Sequence, residues 1–168
     1  IIRGEEWISS TPKHILLYQA LGWKPPAFAH LPILRERDRS KLSKRHGAVG
    51  VLEFRKEVFR PLALLNFVVL LGWSHPEEKE IFSLAEFIKK LDLKRISTSA
   101  PVFDRVKLDW MNGEYIRKLK IKNLKSKICG YLKKYRGLDV SDELIERIVP
   151  LVRERIKKLS EFEGLAGF

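Results

Sequence analysis

The longest apolar run, Leu62 to Trp73, limits the possible folds of this chain more than any other feature. Only Asn66 interrupts it. A helix that crosses a hydrocarbon core needs about 20 apolar residues, so this run is too short to span a membrane. Pro61 precedes the run in the position that favours the start of a helix, and Gly72 can end it. The run therefore predicts a helix that is apolar on all sides and buried in a globular core.

Length and cysteine content narrow the class of protein. The 168 residues, 45% of them apolar, suffice for one ordinary domain or two small ones. The single cysteine, Cys129, excludes a disulfide framework and a four-cysteine zinc site, and it suggests a reducing compartment. The four histidines lack the spacing of metal ligands, so we expect no metal site within this chain.

Most other segments also read as helices, so the expected class is mainly α with minor β. Helix starts are predicted at Thr11-Pro12, Ser83, Asp104 and Ser141, and helical periodicity extends from about Asn123 to Leu159. A short buried strand is predicted within Phe28 to Leu34, and an exposed polar loop from Arg35 to Gly47. Ala48 to Lys56 fits either a short strand or a short helix. Asn112-Gly113 suggests a turn or a helix interruption, and Trp23, Trp73 and Trp110 are expected to lie in the core or at domain junctions.

Positive charge is unevenly distributed along the chain, whose net charge is +12. Tyr115 to Leu138 carries nine cationic residues and no Asp or Glu: Arg117, Lys118, Lys120, Lys122, Lys125, Lys127, Lys133, Lys134 and Arg136. Such a run is often only a solvated face, but solvated helices usually mix the two signs to form ion pairs. The absence of acidic residues therefore favours a nucleic acid as the partner.

Lysines also mark the loop Lys41-Leu42-Ser43-Lys44-Arg45. Flexible lysines on an exposed loop can neutralise the phosphates of ATP, and Ser43 adds a hydroxyl between them. Lysine-rich loops are common, however, so this spacing alone is a weak signal.

Four blocks in order resemble bacterial-type glutamyl-tRNA synthetases, which are class I enzymes. The blocks are Arg3 to His14, Phe28 to Pro32 with the Lys41 to Arg45 loop, Pro61 to Ser74, and Phe103 to Arg117. The loop is similar to the "KMSKS" signature of this family. The resemblance implies activation of glutamate by ATP with Mg²⁺, followed by transfer of the glutamyl group to tRNA(Glu).

The resemblance also implies roles for single residues. Lys41 and Lys44 would act in catalysis on the ATP phosphates, and the ATP-binding set would be Lys41, Leu42, Ser43, Lys44, Arg45 and Trp7. Arg3 would bind a carboxylate of glutamate, with Glu6 beside it. Candidate tRNA-binding residues are Arg117, Lys118, Lys120, Lys122, Lys125 and Lys127.

Three parts are expected from the resemblance. Residues 1–47 would be the end of a Rossmann-type catalytic domain, residues 48–115 a small α/β stem-contact-like linker domain, and residues 116–168 the start of a helical anticodon-binding bundle. The "HIGH" signature of the family has no counterpart here, and there is no initiator methionine. We therefore expect an internal fragment, inactive alone, of a monomeric cytoplasmic enzyme.

Two alternatives stay open at this level. The chain could serve only as a tRNA-binding module, or its parent enzyme could charge tRNA(Gln) as well as tRNA(Glu).

Overall fold

The computed structural model describes residues 1–42 and 50–167. Within these ranges the chain is mostly helical, with one two-stranded parallel sheet. The strands are β1 (Ile2–Gly4) and β2 (Ala29–Leu31). The helices are α1 (Thr11–Ala20), α2 (Val51–Lys56), α3 (Pro61–Gly72), α4 (Leu84–Lys90), α5 (Arg105–Arg117), α6 (Ile121–Tyr131), α7 (Asp142–Val152) and α8 (Phe162–Ala166). Three short 3₁₀ helices (Glu5–Ser10, Leu93–Arg95, Leu159–Glu161) and one π-helical turn (Leu132–Arg136) complete these elements.

The small sheet brings two distant parts of the chain together. Arg3 pairs with His30 in the parallel register, and the 3₁₀ helix Glu5–Ser10 runs from β1 directly into α1. The second strand is shorter than the predicted Phe28 to Leu34. It ends before Pro32, which has no N–H to donate to a ladder.

The apolar helix α3 is buried on one face only, which corrects the expectation of burial on all sides. Ala63 and Phe67 are buried, whereas Leu62, Leu65 and Val68 are 48%, 39% and 51% exposed. The buried face packs on α5 in a cluster formed by Phe54, Phe59, Phe67, Leu108 and Met111, which we call the first core. None of the helices in residues 1–42 and 50–167 is long and apolar enough to cross a membrane.

A second core lies in the C-terminal part of the chain. It contains Ile116, Leu124, Ile128, Tyr131, Leu132, Ile145, Val149, Val152, Ile156, Leu159 and Phe162. Helix α5 belongs to both cores, because its residue Met111 lies in the first and its residue Ile116 in the second. The two cores therefore share one continuous helix.

Helix α5 also corrects one prediction. Asn112 and Gly113 lie within the helix and are buried, with no turn at that point. Asn112 is accommodated there because its side chain bonds to backbone groups of two other segments. Of the three tryptophans expected in the core or at domain junctions, Trp73 is buried, while Trp23 and Trp110 are 61% and 38% exposed.

Candidate active site

Arg3 lies at the centre of a polar cluster on the sheet. Its Nε donates to Nε2 of His30 over 3.1 Å, and Nη2 donates to Oγ1 of Thr11 over 2.8 Å. Its Nη1 lies 3.2 Å from Nδ1 of His14. The hydroxyl of Thr11 in turn donates to the backbone oxygen of Trp7 over 2.8 Å, at the start of α1. Strand β1, strand β2 and helix α1 thus fix the orientation of one guanidinium group.

The guanidinium of Arg3 hydrogen-bonds to side chains that carry no negative charge. Its partners above are a hydroxyl and two imidazole rings, and no Asp or Glu among the described residues forms an ion pair with it. The aromatic rings of Phe28 and Trp7 lie 5.0 and 5.8 Å from its guanidinium carbon. A planar, part-buried cation without an acidic partner is suited to binding an anion, above all a carboxylate.

The neighbouring residues Glu6 and Trp7 lie on the 3₁₀ helix and are exposed, Trp7 by 48%. The carboxylate of Glu6 lies so close to Gly4 that a Cβ at Gly4 would be 2.1 Å from Oε2 of Glu6. A side chain at position 4 would therefore displace the carboxylate of Glu6.

The predicted phosphate-binding loop begins at a small hairpin after β2. The N–H of Leu42 donates to the backbone oxygen of Leu34 over 3.0 Å, and Arg35 pairs with Lys41 in an antiparallel bridge. Lys41 is exposed where the hairpin returns. Ser43, Lys44 and Arg45 lie outside the described residues.

A distant segment holds the base of this hairpin. The N–H of Arg35 donates to the backbone oxygen of Pro101, and that of Phe103 to the backbone oxygen of Arg35, each over 2.9 Å. Arg37 forms a 2.8 Å ion pair with Asp104, which also caps α5 by accepting from the N–H groups of Val106 and Lys107. The pKa of Asp104 lies below its usual value, mainly because of the Arg37 guanidinium and to a smaller extent because of these backbone N–H groups. Asp104 therefore connects the loop base to α5.

The basic segment is partly neutralised by acidic residues from elsewhere in the fold. Lys125 lies 3.1 Å from Glu146 and 3.3 Å from Asp142, both on α7. Three more of its cations form ion pairs: Arg117 with Glu114, Lys133 with Asp139 and Arg136 with Glu163. The acids missing from the local sequence thus come largely from the segments that pack beside it.

Five lysines of the basic segment are left, and all five are exposed: Lys118, Lys120, Lys122, Lys127 and Lys134. We call the four that lie between the end of α5 and the middle of α6 the basic surface: Lys118, Lys120, Lys122 and Lys127. Among the described residues, none of the four forms an ion pair with Asp or Glu, unlike Arg117 and Lys125. Four of the six candidate tRNA-binding residues therefore keep their charge available to solvent.

Residues 1–110 match the protein family described as "tRNA synthetases class I (E and Q), catalytic domain". The chain belongs to this synthetase family. It is 44% identical over 172 residues to the glutamate–tRNA ligase of Dehalococcoides mccartyi, covering 100% of this chain and 36% of that protein. It is 51% identical over 164 residues to the Aquifex aeolicus protein of the same name, covering 96% of this chain and 34% of that protein.

The fold of this chain is similar to that of solved structures from the same family. The glutamate tRNA ligase from Elizabethkingia meningosepticum, solved in complex with its amino acid, superposes with a TM-score of 0.84 at 33% identity, covering 97% of this chain and 36% of that one. The chain spans about a third of the length of these relatives. The predicted family resemblance and the mainly helical class with minor β structure are thereby confirmed.

The sequence did not predict two contacts that support the candidate site, one made by Glu5 and one by Asp104. Oε1 of Glu5 accepts from the N–H of Ile33 over 3.1 Å, which ties the 3₁₀ helix to the segment after β2. Asp104 was expected only as a helix cap, and its contact with Arg37 joins positions 67 residues apart. No local pattern reveals either contact, because each partner lies far away in the sequence.

Proposed function

We propose that this chain is part of a glutamate–tRNA ligase, which activates glutamate with ATP and transfers it to tRNA(Glu). The observation that carries the proposal is the Arg3 cluster, a fixed guanidinium with neutral partners. Similarity over the whole chain to proteins named glutamate–tRNA ligase supports it. Charging of tRNA serves translation, so the proposed location is the cytoplasm, and the proposed enzyme is a monomer.

Glutamate binds at the Arg3 cluster in this proposal. Two parallel N–H groups of the guanidinium hold one substrate carboxylate, and Thr11 and His30 keep the group in place. Glu6 lies at the rim, where its carboxylate can meet the substrate ammonium group. Trp7 lies over Arg3 and limits the access of water to the bound charges.

ATP binds at the hairpin and the loop that follows it. Lys41 and Lys44 contact its phosphates, with Leu42, Ser43 and Arg45 beside the nucleotide and Mg²⁺ carried in with it. The carboxylate of glutamate attacks the α-phosphorus to give glutamyl-adenylate, and pyrophosphate leaves. A ribose hydroxyl at the end of tRNA then attacks the adenylate carbonyl and AMP leaves. Catalysis rests on positioning and on stabilising the charge of pyrophosphate.

Substitution of Arg3 in the natural full-length protein tests the proposal. Arg3→Lys keeps the charge but loses the two-pronged geometry, so we expect the KM for glutamate in tRNA charging to rise about tenfold or more. The KM for ATP should stay near the wild-type value. Arg95→Lys is the matched control, because Arg95 is exposed and bonds only to a backbone oxygen among the described groups. A KM for glutamate within about twofold of wild type would contradict the proposed role.

The basic surface supports a tRNA contact in the same enzyme. Its four lysines lie at and beyond the end of α5, and phosphates are their natural partners. In this scheme residues 1–47 are the end of the Rossmann-type catalytic domain, residues 48–115 form the stem-contact-like domain, and residues 116–168 begin the anticodon-binding bundle. Offering tRNA(Glu) and tRNA(Gln) separately to the full-length protein distinguishes strict from relaxed charging.

A chain that serves only as a tRNA-binding module would give a different pattern. It would bind tRNA, with an affinity that falls steeply as salt increases, but it would show no glutamate-dependent pyrophosphate exchange, with or without tRNA. Measuring ATP binding and tRNA binding separately separates this module from the ligase.

A further inference from the structure

A fully buried amide on α5 joins the two cores. Asn112 has an exposed fraction of 0%. Its Oδ1 accepts from the N–H of Arg60, at the start of α3, over 2.8 Å. Its Nδ2 donates to the backbone oxygen of Lys157, which follows the second-core residue Ile156. One side chain thus satisfies backbone groups on both sides of α5.

Charged groups form a second link beside Asn112. Nζ of Lys158 lies 3.4 Å from Asp109 of α5 and 3.9 Å from Glu57, and it lies over the ring of Phe59 at 5.5 Å. Arg105 of α5 also pairs with Glu57. The segment between α2 and α3 is therefore connected to the segment before α8 by two sets of polar contacts, one through Asn112 of α5 and one through Lys158, which contacts both Asp109 of α5 and Glu57.

These contacts do what apolar packing cannot do. Apolar burial is non-directional and tolerates rotation of one core against the other, whereas hydrogen bonds from a rigid helix require fixed distances and angles. Asparagine is a poor residue for a helix interior, so its place in α5 is explained by these tertiary bonds. Water cannot replace them, because the amide is completely buried.

Helix α5 also holds the base of the ATP loop at its first turn. Asp104 binds Arg37 there, and Phe103 pairs with Arg35 just before the helix. The same helix therefore positions the loop base at its first turn. Through Asn112 it also positions the second core, together with the basic surface beside that core.

We propose that Asn112 is a positioning residue. It sets the angle between the basic surface and the region that contains Arg3 and Lys41, so that one tRNA can contact both. This inference rests on the proposed function, in which one tRNA reaches both regions. Asn112 itself touches no substrate and acts through the groups that it orients.

Two variants of the natural full-length protein test this role. Asn112→Asp keeps the acceptor for the Arg60 N–H but removes the donor to Lys157. Lys158→Met breaks the charged link and leaves Asn112 intact. The matched control is Asn66→Asp, because Asn66 is also buried, at 3% exposed. Its Oδ1 accepts from the N–H of Phe82 and from the hydroxyl of Tyr115 on α5, and neither partner belongs to the second core. The measurements are the Kd for tRNA at fixed salt and the KM and kcat for tRNA, ATP and glutamate.

The expected result is a specific loss of tRNA affinity. Asn112→Asp should raise the Kd and KM for tRNA about fivefold or more, and Lys158→Met about threefold, with kcat at saturating tRNA and the KM for ATP near wild type. Asn66→Asp should lower thermal stability without changing the KM for tRNA.

Other results would overturn the inference. One is a tRNA affinity in Asn112→Asp and Lys158→Met that equals that of Asn66→Asp. Another is a loss of kcat at unchanged KM, which indicates only a smaller folded fraction. If Asn112→Asp fails to fold, Asn112→Ser replaces it in the same measurements, because Lys158→Met leaves Asn112 intact. A wild-type protein that binds tRNA but never activates glutamate defeats the proposed function, while the binding data still test Asn112.

Discussion

At the scale of single residues, the proposed glutamate site depends on one cation, Arg3, that has no acidic partner among the described residues. Arg3 is fixed by Thr11, His14 and His30, which belong to the start of α1, its first turn and strand β2. An acidic partner would have neutralised the guanidinium and competed with a substrate carboxylate. The family resemblance could predict a carboxylate for Arg3, but only folding reveals the three partners that hold it ready.

Asp104 allows its two roles to be separated by substitution. Asp104→Ala should lower the free energy of unfolding by about 1 kcal/mol, because the first turn of α5 loses its cap. Asp104→Asn should retain most of that stability, since an amide oxygen also caps a helix, but it loses the charge that pairs with Arg37. Urea unfolding of both variants at neutral pH measures the difference. Equal losses in the two variants would show that the cap contributes little.

The pH dependence of Asp104 follows from its lowered pKa. The ionised form is favoured by folding, so its contribution is present above the usual value of 3.8 and disappears as pH falls through the lower folded value. The stability difference between wild type and Asp104→Asn should therefore be seen at neutral pH and shrink as the solution becomes more acidic than pH 3.8.

The local sequence predicted the structural role of some residues but not of others. Asp104 and Ser141 were predicted as helix caps, and both accept from backbone N–H groups in the first turns of their helices. A cap is satisfied within three residues, so the sequence contains the whole interaction. The Asn112-Gly113 pair predicted a turn or a helix interruption, and its place inside α5 could not be foreseen because the partners of Asn112 lie 52 and 45 residues away.

At the scale of elements, α3 shows how composition can mislead about burial. Its apolar run predicted the helix and its Pro61 start correctly, because both are local properties. Complete burial would need partners on every side, and α3 packs chiefly on α5 through one face. Leu62, Leu65 and Val68 lie on the face that is left partly exposed.

Neighbouring positions on α3 should therefore respond very differently to truncation. Phe67 is 1% exposed and lies in the first core, so Phe67→Ala should cost about 3–5 kcal/mol of unfolding free energy. Val68 is 51% exposed, and Val68→Ala should change it by about 1 kcal/mol or less. Chemical denaturation of the two variants measures both values. Similar losses at the two positions would mean that the outer face of α3 is also packed.

At the scale of the whole molecule, the fold decides which positive charges of the basic segment have acidic partners. The run from Tyr115 to Leu138 contains no acid, yet Lys125 faces two acids of α7 and Arg136 faces Glu163 of α8. The sequence correctly located an excess of positive charge. It could not show that Lys125 and Arg136 are neutralised, because their partners approach only when α6, α7 and α8 pack together.

This distinction predicts which lysines contribute to tRNA binding. Lys122→Gln and Lys133→Gln each remove one charge, but Lys133 is already paired with Asp139 at 3.8 Å, and no acidic partner of Lys122 is found among the described residues. A phosphate contact releases counterions, so Lys122→Gln should reduce the slope of log Kd against log salt by about 0.7–0.9. The triple variant Lys120→Gln, Lys122→Gln, Lys127→Gln should reduce the slope by about three times as much, if all three reach phosphates. Titration of tRNA over a series of salt concentrations measures these slopes in the full-length protein. Lys133→Gln should leave the slope nearly unchanged, and an equal effect of both single variants would show that tRNA responds only to net charge.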